Sequence, residues 1–75
     1  MPTLIDVGSW KIRVYFGDHN PPHFHLVCSD GRAALVAFDD LRVLDGDVPA
    51  QALAEARDWA AGNRARLIDA WTAGR

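Results

Sequence analysis

A single cysteine, Cys28, is all the thiol that this 75-residue chain holds. An internal disulfide is therefore excluded, and so is a zinc site built mainly from thiolates. Apolar runs are short: none approaches the roughly 20 residues that cross a bilayer. The start Met1-Pro2-Thr3-Leu4-Ile5-Asp6 also lacks the basic residues, apolar stretch and small-residue cleavage site of a secretion signal. A cytoplasmic protein with no membrane partner is expected. Positive charge is in deficit too, with a formal net charge of -2. The isolated chain thus has no general pull on a phosphate backbone, and nucleic-acid binding is disfavoured. Repeats, low-complexity segments and interdomain linkers are also missing. One domain over residues 1–75 is expected, at a size where burying a surface against a second chain adds useful stability.

What is present is a globular composition, 49% hydrophobic and 24% charged, arranged in two periodicities. Trp10, Ile12, Val14 and Phe16 alternate with Lys11, Arg13, Tyr15 and Gly17, the pattern of a strand with one buried face. Gly17 to Pro22 reads as a loop, stiffened by its prolines. The chain re-enters a strand near His23. Phe24–Ser29 and Arg32–Phe38 flank Asp30-Gly31, the dipeptide of a two-residue hairpin turn. That turn pairs positions summing to about 61. One face then holds Phe24, Leu26 and Cys28 opposite Ala37, Leu35 and Ala33, the better core. The other holds His23, His25 and Val27 opposite Phe38, Val36 and Ala34. A fourth short strand, Leu41 to Leu44, is expected after Asp39-Asp40, with a tight turn aiming Arg42 toward the core.

From Pro49 onward the spacing is helical. Pro49 suits a first turn, Asp47 lies close enough to help the amino end, and the alanine-rich stretch favours helix. Leu53, Ala56, Ala60, Leu67, Ala70 and Trp71 form an apolar stripe opposite Glu55, Asp58, Arg66 and Asp69. An unbroken helix from Ala50 to Ala73 would run about 36 Å, too long for so small a sheet to cover. Gly62-Asn63 is the expected break, with asparagine capping the next helix. The fold class is α+β: an antiparallel meander of three or four strands with a carboxyl-terminal helix, broken near Gly62, packed on one face.

The chemistry concentrates in Asp18-His19-Asn20-Pro21-Pro22-His23-Phe24-His25, where all three histidines lie within seven positions around a diproline. That segment, an aromatic first strand ending in Phe16, and the pattern Trp59, Asn63-Arg64, Leu67 and Trp71 together resemble the bacterial family called domain of unknown function 4160. The resemblance spans nearly the whole chain. It implies a small bacterial cytoplasmic protein, often encoded beside another small protein, and a candidate component of a toxin–antitoxin pair.

Three functional readings follow from the residues. His23 and His25 are two apart on a strand, roughly 7 Å along the backbone, so their rings share a face and can converge on one transition-metal ion. His19, brought round by the prolines, supplies a third nitrogen, and Asp18 is a fourth ligand or orients a ring. Alternatively the loop residues bond the backbone and the two rings are amphipathic strand surface. A second reading is an RNA-cleaving toxin with imidazoles as acid and base and Arg13 or Lys11 on the phosphate. The acidic balance speaks against it, and Lys11 and Arg13 need be no more than a sheet's solvent face. The favoured reading is a non-enzymatic interaction component whose interface is His23, His25, Val36 and Phe38, bound to a second small protein or another copy of itself. Trp10, Trp59, Trp71 and Cys28 are assigned to the core.

Overall fold

The computed structural model describes residues 3–15 and 21–73. Five strands precede two helices: β1 (Thr3–Asp6), β2 (Trp10–Arg13), β3 (His23–Cys28), β4 (Ala33–Ala37), β5 (Val43–Gly46), α1 (Ala50–Ala61) and α2 (Arg64–Thr72). The strands form one antiparallel meander in chain order. Strand β1 adds to the three or four expected. It joins β2 through a turn in which the Gly8 N–H donates to Asp6 Oδ1 at 2.9 Å and Gly8 takes a φ of 91°, which a side chain would oppose.

The β3–β4 hairpin differs from expectation by one residue. His23 pairs with Ala37, Phe24 with Val36, His25 with Leu35, and Leu26 with Ala34. The loop holds three residues rather than two: the Gly31 N–H donates to the Cys28 carbonyl at 3.1 Å, the Cys28 N–H donates to the Arg32 carbonyl at 2.8 Å, and Gly31 has φ 92°. Asp-Gly serves this bulged turn as well as the two-residue one. A shift of one residue sends every β4 side chain to the other face. Phe24, Leu26, Ala34 and Val36 therefore meet Trp10, Ile12 and Val14 in the core, and Val36, assigned to the histidine face, is fully buried among them.

The β4–β5 connection also departs from expectation. Leu41 adopts φ 60°, a left-handed conformation costing about 1 kcal/mol or more for a branched side chain. The side chain is thereby turned into the core, while Arg42 stays exposed and donates to Asp40 Oδ2 at 2.8 Å. Arg42 is thus on the outside, not the core side, and β5 starts at Val43 instead of Leu41. Two helix arginines fasten this turn: Arg57 Nε donates to the Leu41 carbonyl at 2.8 Å, and Arg64 Nη1 donates to the Phe38 carbonyl.

The helical stripe packs as read, with Ala56, Ala60, Leu67 and Trp71 buried and Ala52 joining them. Small alanines let α1 lie close to the sheet. The break falls at Gly62-Asn63. Asn63 occupies the position before α2, but its side chain turns backward: Nδ2 donates to the Trp59 carbonyl at 2.8 Å, closing the end of α1. Asp47 pairs with Arg32 at 3.7 Å instead of sitting in the first turn of α1. Both helices cover one sheet face. No helix among the described residues is long and apolar enough to cross a membrane.

Candidate functional site

Proline lacks an N–H, so Pro21 and Pro22 can only accept, and both carbonyls are used. The Phe38 N–H donates to the Pro22 carbonyl at 3.0 Å, and His23 Nδ1 donates to the Pro21 carbonyl at 2.8 Å. A carbonyl cannot donate, so Nδ1 carries the proton and the neutral His23 ring has its lone pair on Nε2. The diproline is thereby fixed to the start of β3 and the end of β4.

An aromatic chain runs from this corner in both directions. His23, only 3% exposed, has its ring 5.3 Å from His25 and 5.4 Å from Trp71. The His25 ring meets Tyr15 edge-on at 4.4 Å, and Trp71 meets Phe38 edge-on at 5.8 Å. Phe38 is stacked on Phe24 at 6.4 Å. Such pairs contribute about 0.5–1.5 kcal/mol each beyond the area they bury. The chain links the outer sheet face, the diproline and α2.

Beside Trp71 lies an apolar groove of about 410 Å³, walled by Pro21, Pro22, Phe38, Leu67 and Ile68, with Asp39, Arg64 and Thr72 its polar members. Ile68 stands 53% exposed, a large side chain with little reason to face water. On the outer face a row crosses the sheet: Arg13 opposite His25, His25 opposite Leu35, Leu35 opposite Asp45. Arg13, His25 and Leu35 are all half-buried. Arg13 Nε is sealed from water and meets no hydrogen-bond acceptor among the described residues. Leaving a buried donor unmet costs about 1–3 kcal/mol.

His23 and His25 are brought together as the sequence implies. Asp18 and His19, the other two proposed metal ligands, lie outside the described residues. Among those described, no group of three or more His, Cys, Asp or Glu is placed to hold a metal ion. The assigned interface is corrected at Val36, whose place opposite His25 is taken by Leu35, because the hairpin loop is one residue longer. Phe38 is 8% exposed and belongs mainly to the core, though it lines the groove. Cys28 is buried, and burial pushes its thiol upward with Asp30 adding to the effect, which suits a core residue rather than a nucleophile. Trp10 is core with its indole N–H donating to Glu55 Oε1 at 2.8 Å.

Sequence reasoning missed the groove and the state of Arg13. The alternation of β2 already placed Arg13 and Tyr15 on one face; joining that face to His25 required only the β2–β3 register. The meeting of His23 with Trp71, 48 positions later, needed the tertiary fold.

The chain matches no curated protein and no solved structure. Residues 9–72 match a family described as Domain of unknown function (DUF4160), a span that takes in the strands from β2 onward, the diproline corner and both helices. The five-stranded sheet with its histidine corner is therefore that of a member of the domain of unknown function 4160 family, to which this chain belongs.

Proposed function

We propose that this protein is a non-enzymatic interaction module of the bacterial cytoplasm, one component of a toxin–antitoxin-like pair, which binds a second small protein through the diproline corner. The carrying observation is the apolar groove beside Trp71, with Ile68 half exposed at its wall. An aromatic and aliphatic concavity of this kind suits an anchoring side chain from a partner, and the charged neighbours Asp39 and Arg64 suit a polar surround. The buried His23 ring supports the groove from behind by packing on Trp71.

Ile68→Asp tests the reading, since the exposed position should tolerate the change without loss of fold. The partner is isolated as a stoichiometric complex with the wild-type chain, purified, and titrated against both forms. The reading expects affinity to fall at least tenfold, about 1.4 kcal/mol, on placing a carboxylate in the groove. Equal affinity for the variant sinks it. Concentration-dependent self-association lost in Ile68→Asp would identify the partner as a second copy.

A second reading, metal binding, draws on the His23 tautomer, because an Nδ1–H held by a carbonyl is the usual support for a ligand nitrogen at Nε2. Titration with zinc, nickel and copper tests it: saturable one-to-one binding lost in the His19/His23/His25 triple alanine variant supports a site, and weak binding unchanged in that variant removes it.

A further inference from the structure

We propose that the outer face of the sheet is the interface of a symmetric dimer of this chain, two copies packed face to face about a two-fold axis parallel to the strands. The surface is separate from the groove beside Trp71, and the proposal stands without it.

Two neighbouring rows cross the outer face. In the first, Arg13, His25, Leu35 and Asp45 stand side by side on β2, β3, β4 and β5. In the second, Lys11 is opposite Val27 and Val27 is opposite Ala33, while the Asp47 N–H donates to the Ala33 carbonyl at 3.1 Å and carries the row past the end of β5. Both rows run from a cation on β2, through a less polar middle, to a carboxylate at the β5 side. Val27 and Leu35 are half-buried and Ala33 is exposed, and none of the three belongs to the buried core. The ends of one row are three strand spacings apart, about 14 Å, so neither row pairs its own cation with its own carboxylate.

A two-fold axis parallel to the strands, placed between β3 and β4, turns each row end for end over the same row of the second copy. Arg13 then lies over Asp45 of the second copy, Lys11 over its Asp47, Val27 over its Ala33 and Leu35 over its His25. An axis along the rows would instead set Arg13 on Arg13 and Asp45 on Asp45, so charge selects the first arrangement. Packed sheets lie about 10 Å apart and are turned by about 30°, which offsets the row ends by about 4 Å, within reach of lysine and arginine side chains. Asp6 stands opposite Lys11, and Arg32 is 3.7 Å from Asp47, so charges around the Lys11–Asp47 contact alternate in sign. The sealed Arg13 Nε takes no part in this, since the contact is one of charge at the rim.

The size of the face sets the strength. Five strands, with about four residues of each facing the second copy, present roughly 400 Å² per copy and about 800 Å² in all. That is the low end of specific association, where contacts are weak and reversible. Val27, Ala33 and Leu35 form the apolar centre of the patch, and the charged rows fix its register more than they add affinity.

The test is sedimentation velocity of the full chain from about 10 µM to about 1 mM. A monomer–dimer equilibrium is expected within that range, at least tenfold weaker in Leu35→Glu and unchanged in Ile68→Asp. Lys11→Glu and Asp47→Lys should each weaken it several-fold, and an equimolar mixture of the two should recover wild-type affinity, because every pair in the mixed dimer again joins opposite charges. A wild-type chain that stays monomeric throughout overturns the proposal. So does undiminished association in a folded Leu35→Glu, with Val27→Lys serving in its place if that variant does not fold. A mixture no tighter than its two components overturns the register. Self-association lost in Ile68→Asp and kept in Leu35→Glu overturns the proposal in favour of the groove.

Discussion

The two faces of β3 are made by alternate residues of one six-residue strand and have opposite fates. Phe24, Leu26 and Cys28 face the helices and are buried with Ile12, Val36 and Leu67. His25 and Val27 face the other way and stay half-buried, while His23 on that side is buried at the corner against Trp71. Apolar area removed from water contributes about 1.5–3 kcal/mol per large side chain, so the helix-covered face supplies stability. The outer face adds less of it and carries polar groups, among them an Arg13 Nε with no acceptor among the described residues.

The most severe way to break the stable side is Gly46→Ala. Gly46 has φ 88°, and a Cβ there would lie 2.3 Å from the Ala33 carbonyl oxygen and 2.8 Å from the Ala34 Cα, both backbone atoms that cannot swing aside. Destabilisation of about 3 kcal/mol or more is expected, seen as a fall in the denaturant midpoint or failure to fold. Wild-type stability in this variant would mean that β5 is not seated against β4 as described.

Next in size is a paired truncation across the two faces. Leu26→Ala should cost about 2–5 kcal/mol, and its neighbour Val27→Ala under about 1 kcal/mol, both measured by urea unfolding. Similar costs at the two positions would erase the distinction between the faces.

A smaller loss is expected on removing a turn clamp. Arg64→Met deprives the Phe38 and Asp39 carbonyls of their donor and should cost about 1–2 kcal/mol in thermal unfolding, or roughly 4–16 °C. No change in melting would show that water replaces the guanidinium without cost.

The smallest effect concerns acid. The Trp10 indole N–H, and next to it Gln51, hold the Glu55 carboxyl below its ordinary value. Its folded-state affinity for a proton is thus the lower one, so the native state is favoured above the unfolded carboxylate pKa. That contribution is lost as pH falls through the folded value. Glu55→Gln should flatten the stability profile below about pH 5, and an unchanged slope would show that exposure screens the interaction.

The fold was largely legible because β2 and the helices carry clean periodicity. The alternation in Trp10–Val14, the stripe through Ala56, Ala60, Leu67 and Trp71, and the break at Gly62-Asn63 are local consequences of pleat, helix repeat and glycine. Hairpin register was not legible. Ala33-Ala34-Leu35-Val36-Ala37 is apolar on both sides, so no polarity marks which side faces inward, and Asp30-Gly31 fits two loop lengths. Strand β1 was missed because Thr3–Asp6 is too short to show a period and pairs with β2 across a bulge. In the candidate site, the proximity of His23 and His25 followed from strand geometry, while the groove beside Trp71 did not, because its walls come from three separate elements.

The sequence by itself determined the class of fold, the position of the helix break and the sharing of one sheet side by His23 and His25, since each depends on neighbours within a few residues. Only the tertiary structure decided that Val36 points inward, that Leu41 takes a strained backbone to reach the core, and that Arg13 Nε has no acceptor among the described residues. These depend on which surface has helices against it, a competition between distant segments for burial that local periodicity does not encode.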